Sequence, residues 1–92
     1  MEKLWVDFQN SSKKGVRLLC KGTLDEIERN NVVLSNGLKL LLWTEDEDEK
    51  GNPDNLVVEA IVEFDEDEDC WVAVYEGKTI KHESEFNPRS EI

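Results

Sequence analysis

Apolar and polar residues alternate with period two over residues 4–8, with Leu4, Val6 and Phe8 on one side and Trp5 and Asp7 on the other. That spacing is the mark of a strand with one buried face. The stretch Asn10-Ser11-Ser12-Lys13-Lys14-Gly15 is rich in turn formers, and residues 16–21 resume an apolar run that reads as a second strand. The period then changes: Cys20, Leu24 and Ile27 fall at helical spacing, with Thr23 placed as an N-cap and Glu26 three residues later as in a capping box. Arg29 complements a helix C-terminus, and Asn30 or Asn31 tolerates the left-handed cap conformation. The pattern predicts a short helix over 24–30; the alternative is a strand through residues 23–30 into an Asn30-Asn31 hairpin turn.

Residues 32–34, the turn Ser35-Asn36-Gly37 and residues 38–44 predict a β-hairpin, because Asn-Gly accepts the positive φ angles of a type I′ turn. Gly51 and Pro53 stop any strand in the polar stretch beyond. Residues 56–64 then form a long strand, with Leu56, Val58, Ala60, Val62 and Phe64 facing the core and Val57, Glu59, Ile61 and Glu63 facing away. A strand over 70–75, a tight turn at Gly77-Lys78 and a short strand over 79–82 complete the domain. Residues 1–85 are thus expected to be one domain and 86–92 a flexible C-terminal tail.

This order predicts a mainly β protein, a small antiparallel five- to six-stranded barrel or rolled sheet with one short helix, because curling a small sheet hides its edges. The run Leu34-Ser35-Asn36-Gly37-Leu38-Lys39-Leu40, the long hairpins and the closing segment 71–80 resemble small SH3-like barrels of bacterial accessory domains, over about residues 16–83. The resemblance implies a module that binds peptide, RNA or ribosome. The proline-binding aromatic motifs of eukaryotic signalling SH3 domains are not recognisable in this chain.

Charge narrows the choice of partner. The 92 residues carry 22 acids against 11 bases, a formal charge of −11, which argues against nucleic-acid phosphates and anionic membranes as partners. No run approaches the roughly 20 apolar residues of a membrane span, and no basic segment leads into an apolar one, so a cytoplasmic protein is expected. Ten of the acids sit in two runs, Glu45-Asp46-Glu47-Asp48-Glu49 and Asp65-Glu66-Asp67-Glu68-Asp69. Like-charge blocks mark solvated loops. Nine strand residues at ~3.3 Å each place them about 30 Å apart, as two acidic tips on a nearly neutral body, with solubility as their plainest use.

Chemistry is sparse. Asp46, Asp48 and Gly51 match positions one, three and six of a calcium loop, but Lys50 stands at position five and Val57 replaces the bidentate Glu. In the second run Cys70 takes the place of the turn glycine. Cys20 and Cys70 lie in apolar stretches, where thiols serve as small hydrophobes, and with the sole His82 they make no zinc set. A Cys70–His82 nucleophile pair is conceivable across neighbouring strands, but no orienting acid or oxyanion hole accompanies it by motif. Exposed carboxylates lack the burial that splits paired pKa values, and no phosphate-cradling glycine motif occurs. Lys13, Lys14, Arg17 and Lys21, the one basic cluster, read as a solvated turn. No catalytic residue, metal ligand or cofactor is assigned, and an enzyme is not expected.

The more informative residues lie on the outward side of the middle strands. If Leu38, Leu40 and Leu42 face inward, Leu41 and Trp43 face outward and Val57 and Ile61 join them. A row Leu41, Trp43, Val57, Ile61 is either covered by the short helix or the Leu4-Trp5-Val6 segment, or it is a partner or dimer surface anchored by Trp43. The sequence alone does not determine function. The leading expectation is a non-catalytic protein-interaction module; the alternative is an acidic inhibitor or immunity-type protein occupying a basic site. The partner stays unidentified, and a monomer is the default state.

Overall fold

The structure is a computed structural model, and it describes residues 1–86. Six strands form one sheet: β1 (Glu2–Trp5), β2 (Val16–Arg17), β3 (Lys39–Thr44), β4 (Leu56–Asp65), β5 (Cys70–Val74) and β6 (Lys81–His82). Helix α1 (Lys21–Arg29) lies between β2 and β3, a 3₁₀ turn (Gly77–Thr79) precedes β6, and α2 (Glu83–Phe86) follows it. Phe86 therefore belongs to α2, and the rest of the expected tail, 87–92, lies outside the described residues.

The strand order is β1-β3-β4-β5-β2, with β6 on the same side of β4 as β5. The protein is mainly β, a rolled sheet that does not close into a barrel. One pairing departs from the antiparallel expectation: β1 runs parallel to β3, from Glu2↔Leu40 to Trp5↔Trp43. Parallel neighbours need a long crossover, and here β2, α1 and the 30–38 segment supply it.

The inner face carries the core. Leu4, Leu42 and Val58 lie in one register row, Leu40 and Ala60 in the next, and Val62, Ala73 and Val16 in a third, each no more than 4% exposed. Phe8, Ile27, Leu34, Trp71, Tyr75 and Ile80 pack against them, with Phe8 edge-on to Tyr75 and Phe64 edge-on to Trp71. The turn before β2 presses so closely on β5 that a Cβ at Gly15 would stand 2.2 Å from the Ala73 carbonyl oxygen.

Helix α1 starts three residues earlier than its capping pattern predicts, and the expected second strand is only Val16–Arg17 because residues 18–20 turn the chain into the helix. Thr23 and Glu26 do not cap the helix. Strand β1 is the sheet edge, and the Trp5 backbone points outward from it; Trp5 N–H donates to Glu26 Oε1 (2.9 Å), and Thr23 Oγ1–H donates to the Trp5 carbonyl (2.7 Å). Two helix side chains thus complete an edge that would otherwise offer unpaired groups. The C-terminal expectation holds, with Asn30 at the cap and Asn31 at φ 56°.

The expected 32–44 hairpin does not form. Val32 N–H returns to the Ile27 carbonyl, and 32–35 is an irregular connector. Asn36-Gly37 still turns the chain, but only Gly37 has positive φ (93°), so the turn is not type I′. Gly37 N–H donates to the Val62 carbonyl while Val62 N–H donates to that of Leu38. Two residues facing one, with glycine left-handed in the first position, make a G1 bulge, which seats the turn on β4.

Candidate partner-binding face

Side-chain parity follows from the register. Lys3, Trp5, Lys39, Leu41, Trp43, Val57, Glu59, Ile61 and Val74 all face outward. The row Trp5–Trp43–Val57–Lys81 crosses four strands, and Lys39–Ile61–Val74 is the parallel row further along β4. The four sequence-predicted residues do share this face, but their environments differ. Val57 is fully buried, Leu41 and Trp43 are half-buried, and Ile61 is 45% exposed.

The gradient has a local cause. Strand β6 pairs with Leu56 and Val57, placing Lys81 beside Val57. Lys3 Nζ lies 6.0 Å from the Trp43 ring centre and 3.3 Å from Glu83 Oε2, so an ion pair spans the indole. The backbone of neither α1 nor β1 lies over the row: β1 joins the sheet beside β3 and sends only the Lys3 side chain over Trp43, and α1 seats Gly22 against the Trp5 ring at the sheet edge. Trp5 Nε1–H donates to Glu45 Oε1 (2.9 Å), and that bond holds the Glu45 carboxyl below its ordinary range.

At the Ile61 end the face opens into a groove of about 630 Å³ whose lining includes Ile61, Val74, Tyr75, Lys39 and Lys81. Even-numbered residues of β4 bond to the β3 side, as Val62 shows, so odd-numbered residues bond toward β5 and β6. The β5 ladder ends at Ile61↔Val74 and the β6 ladder at Val57↔Lys81. Between them the Glu59 N–H and C=O point into the split with no backbone partner among the described residues. Sequence reasoning missed Val74 and Tyr75. Alternation places Val74 with Val72, but only the β4–β5 register puts it beside Ile61.

Both acidic runs lie at opposite ends of β4, as expected, and both are more than solvated tips. Asp48 Oδ1 accepts the backbone N–H of Lys50 and of Asn52 (both 2.9 Å); these bonds, Asn52 foremost, hold its carboxyl low. Asp46 accepts from the Glu47 backbone and meets His82 Nε2 at 2.9 Å; both lower its pKa, and Asp46 in turn raises that of His82. In the second run Asp65 is 3% exposed and caps its own turn, accepting from Asp67 N–H at 3.0 Å. Glu68 takes two bonds from Arg17 (2.6 and 3.2 Å), which raise the guanidinium pKa, and Arg17 also donates to Asn10 and Ser11. Arg17 is therefore a fastener between loops and not part of a basic patch.

The conceivable Cys70–His82 pair is ruled out by position. Cys70 pairs with Asp65 and His82 with Leu56, at opposite ends of a strand about 30 Å long. Burial pushes the Cys70 thiol up, away from nucleophilic character. Among the described residues no three His, Cys, Asp or Glu side chains converge as a metal set, and no helix is long and apolar enough to cross a membrane. Comparison with protein-family models, with curated proteins and with solved structures finds no match.

Proposed function

We propose that this chain is a non-catalytic, cytoplasmic protein-interaction module that receives a protein partner on the outer face of its sheet. The observation that carries the reading is the groove at Ile61: a large apolar side chain nearly half exposed, beside Val74 and Tyr75, at an end of the face that stays open among the described residues. A partner's apolar side chain fits against Ile61 and Val74, and a partner's main chain can meet the open Glu59 backbone. The resemblance to SH3-like barrels supports this reading only as precedent for small β modules without catalysis.

A second reading, an acidic inhibitor or immunity-type protein, draws support from the acids that remain exposed at the loop tips, Glu47 and Glu49 at one end and Glu66, Asp67 and Asp69 at the other. Salt and one substitution separate the two. Capture from native lysate on wild-type protein and on Ile61→Ser, at low and at about 0.5 M salt, is expected to show a partner that survives the salt and is lost with Ile61→Ser. A partner lost in salt and retained by Ile61→Ser overturns the module reading in favour of the inhibitor.

A further inference from the structure

The C-terminal end of the described chain is fastened by one titratable side chain. His82, the only histidine, sits on β6 with its Nε2 2.9 Å from Asp46 Oδ2 of the β3–β4 loop. The carboxylates around it favour the imidazolium, with the Asp46 hydrogen bond foremost, while partial burial acts the other way. Asp46 and Asp54 face it from the loop and Glu85 from α2, where Glu85 Oε1 also accepts the His82 N–H. Its chain neighbours are Lys81 and Glu83, and Lys3 of β1 is engaged with Glu83. Neighbouring bonds repeat the attachment: Glu83 N–H to the Asn55 carbonyl (2.7 Å), and Ser84 N–H and Oγ–H to the Asp54 carboxylate (3.1 and 2.7 Å). The segment so held is the one that places Lys81 beside Val57 and anchors the Lys3–Glu83 pair over Trp43.

We propose that β6–α2 is a proton-held strap over the Trp43–Val57 row, fastened by the His82 imidazolium against Asp46 and loosened when that proton leaves. The neutral ring can still donate one hydrogen bond to Asp46, so deprotonation removes the charge-assisted part of the clasp and leaves the strap weaker, not detached. The acidic surroundings hold the folded His82 pKa above its ordinary value. The strap is accordingly complete below about pH 6.5, the unfolded value, and weakens as pH rises through the folded one. The strap borders the Ile61 groove through Lys81, but Ile61 itself pairs with Lys39 and Val74 and not with β6.

The test is an NMR titration of the ¹⁵N-labelled full chain from pH 5.5 to 9. The His82 ring, the backbone amides of Val57, Lys81 and Glu83, and the Trp43 indole are followed, with solvent paramagnetic relaxation reporting indole exposure. The expected result is a His82 midpoint above 6.5, shared by the amides and by a rise in Trp43 exposure. His82→Gln is expected to abolish the transition, and Asp46→Asn to move it to lower pH. A His82 midpoint at or below 6.5, strap signals that ignore it, or a transition that survives His82→Gln overturns the proposal.

Discussion

Leu41 and Leu42 are chain neighbours with identical side chains, yet Leu42 is fully buried on the inner face and Leu41 only half-buried on the outer one. Every register neighbour repeats the contrast. Leu42 stands between Leu4 and Val58, both fully buried, whereas Leu41 stands between Lys3 and Glu59, both exposed. An apolar residue on the inner face is a structural element; on the outer face, burial depends on what local device lies over it. Trp43 has the Lys3–Glu83 pair, Val57 has β6, and Ile61 has neither.

The widest separation between the faces comes from truncating the two leucines. Leu42→Ala leaves a cavity among packed side chains and is expected to cost about 2–5 kcal/mol, roughly 10–30 °C in Tm for a domain of this size. Leu41→Ala removes side-chain surface that water already partly reaches and is expected to cost less than half as much. Thermal unfolding followed by circular dichroism checks both. Equal losses would mean that the outer face is as well covered as the inner one.

Gly15→Ala comes next. The added methyl meets the Ala73 carbonyl, so β2 and its turn must withdraw from β5, at an expected cost of about 1–3 kcal/mol. Gly37→Ala is the control. Open space surrounds Gly37, and the cost there is limited to the φ of 93°, about 1 kcal/mol.

What the chain revealed about itself divides along the same line. Alternation in 56–64 set the inner face of β4 correctly, because Leu56, Val58, Ala60, Val62 and Phe64 leave one consistent solution. The two long strands and the acidic ends of β4 were equally legible, since five like charges cannot continue a buried strand. Thr23 and Glu26 misled: a capping box and an edge-satisfying pair use the same residue types at the same spacing, and only the placement of β1 decides between them. Asn36-Gly37 gave a turn but not its partner strand, because the bulge bonds to Val62, 25 residues away. The outer row was legible as a face. Its gradient of exposure was not, because Lys3, Lys81 and Glu83 come to it from both ends of the chain.

The Thr23 pair offers an intermediate effect. Thr23→Val keeps the shape of a buried side chain and leaves the Trp5 carbonyl without its donor at a closed edge, an expected cost of about 1–3 kcal/mol. Amide exchange in β1 is the sharper measurement, because an edge that loses its lateral partner frays before the core does. Protection at Val6, whose N–H donates to the Trp43 carbonyl, is expected to fall together with that of Trp5. If both amides keep full protection, the helix does not guard the edge through this bond.

The smallest expected effect on stability is the one that matters most for function. Ile61 pairs in register with Lys39 and Val74 and is 45% exposed, so Ile61→Ser gives up only part of the burial of a core aliphatic and is expected to cost about 1 kcal/mol. Serine also lowers the strand's preference for extended backbone slightly, an effect that central pairing on both sides of β4 absorbs. A variant whose Tm falls by only a few degrees and that no longer holds its partner places the binding energy on the outer face and not in the core. A Tm loss approaching that of Leu42→Ala would instead show that Ile61 is packed in solution, which removes the distinction between the two faces at the point where it is largest.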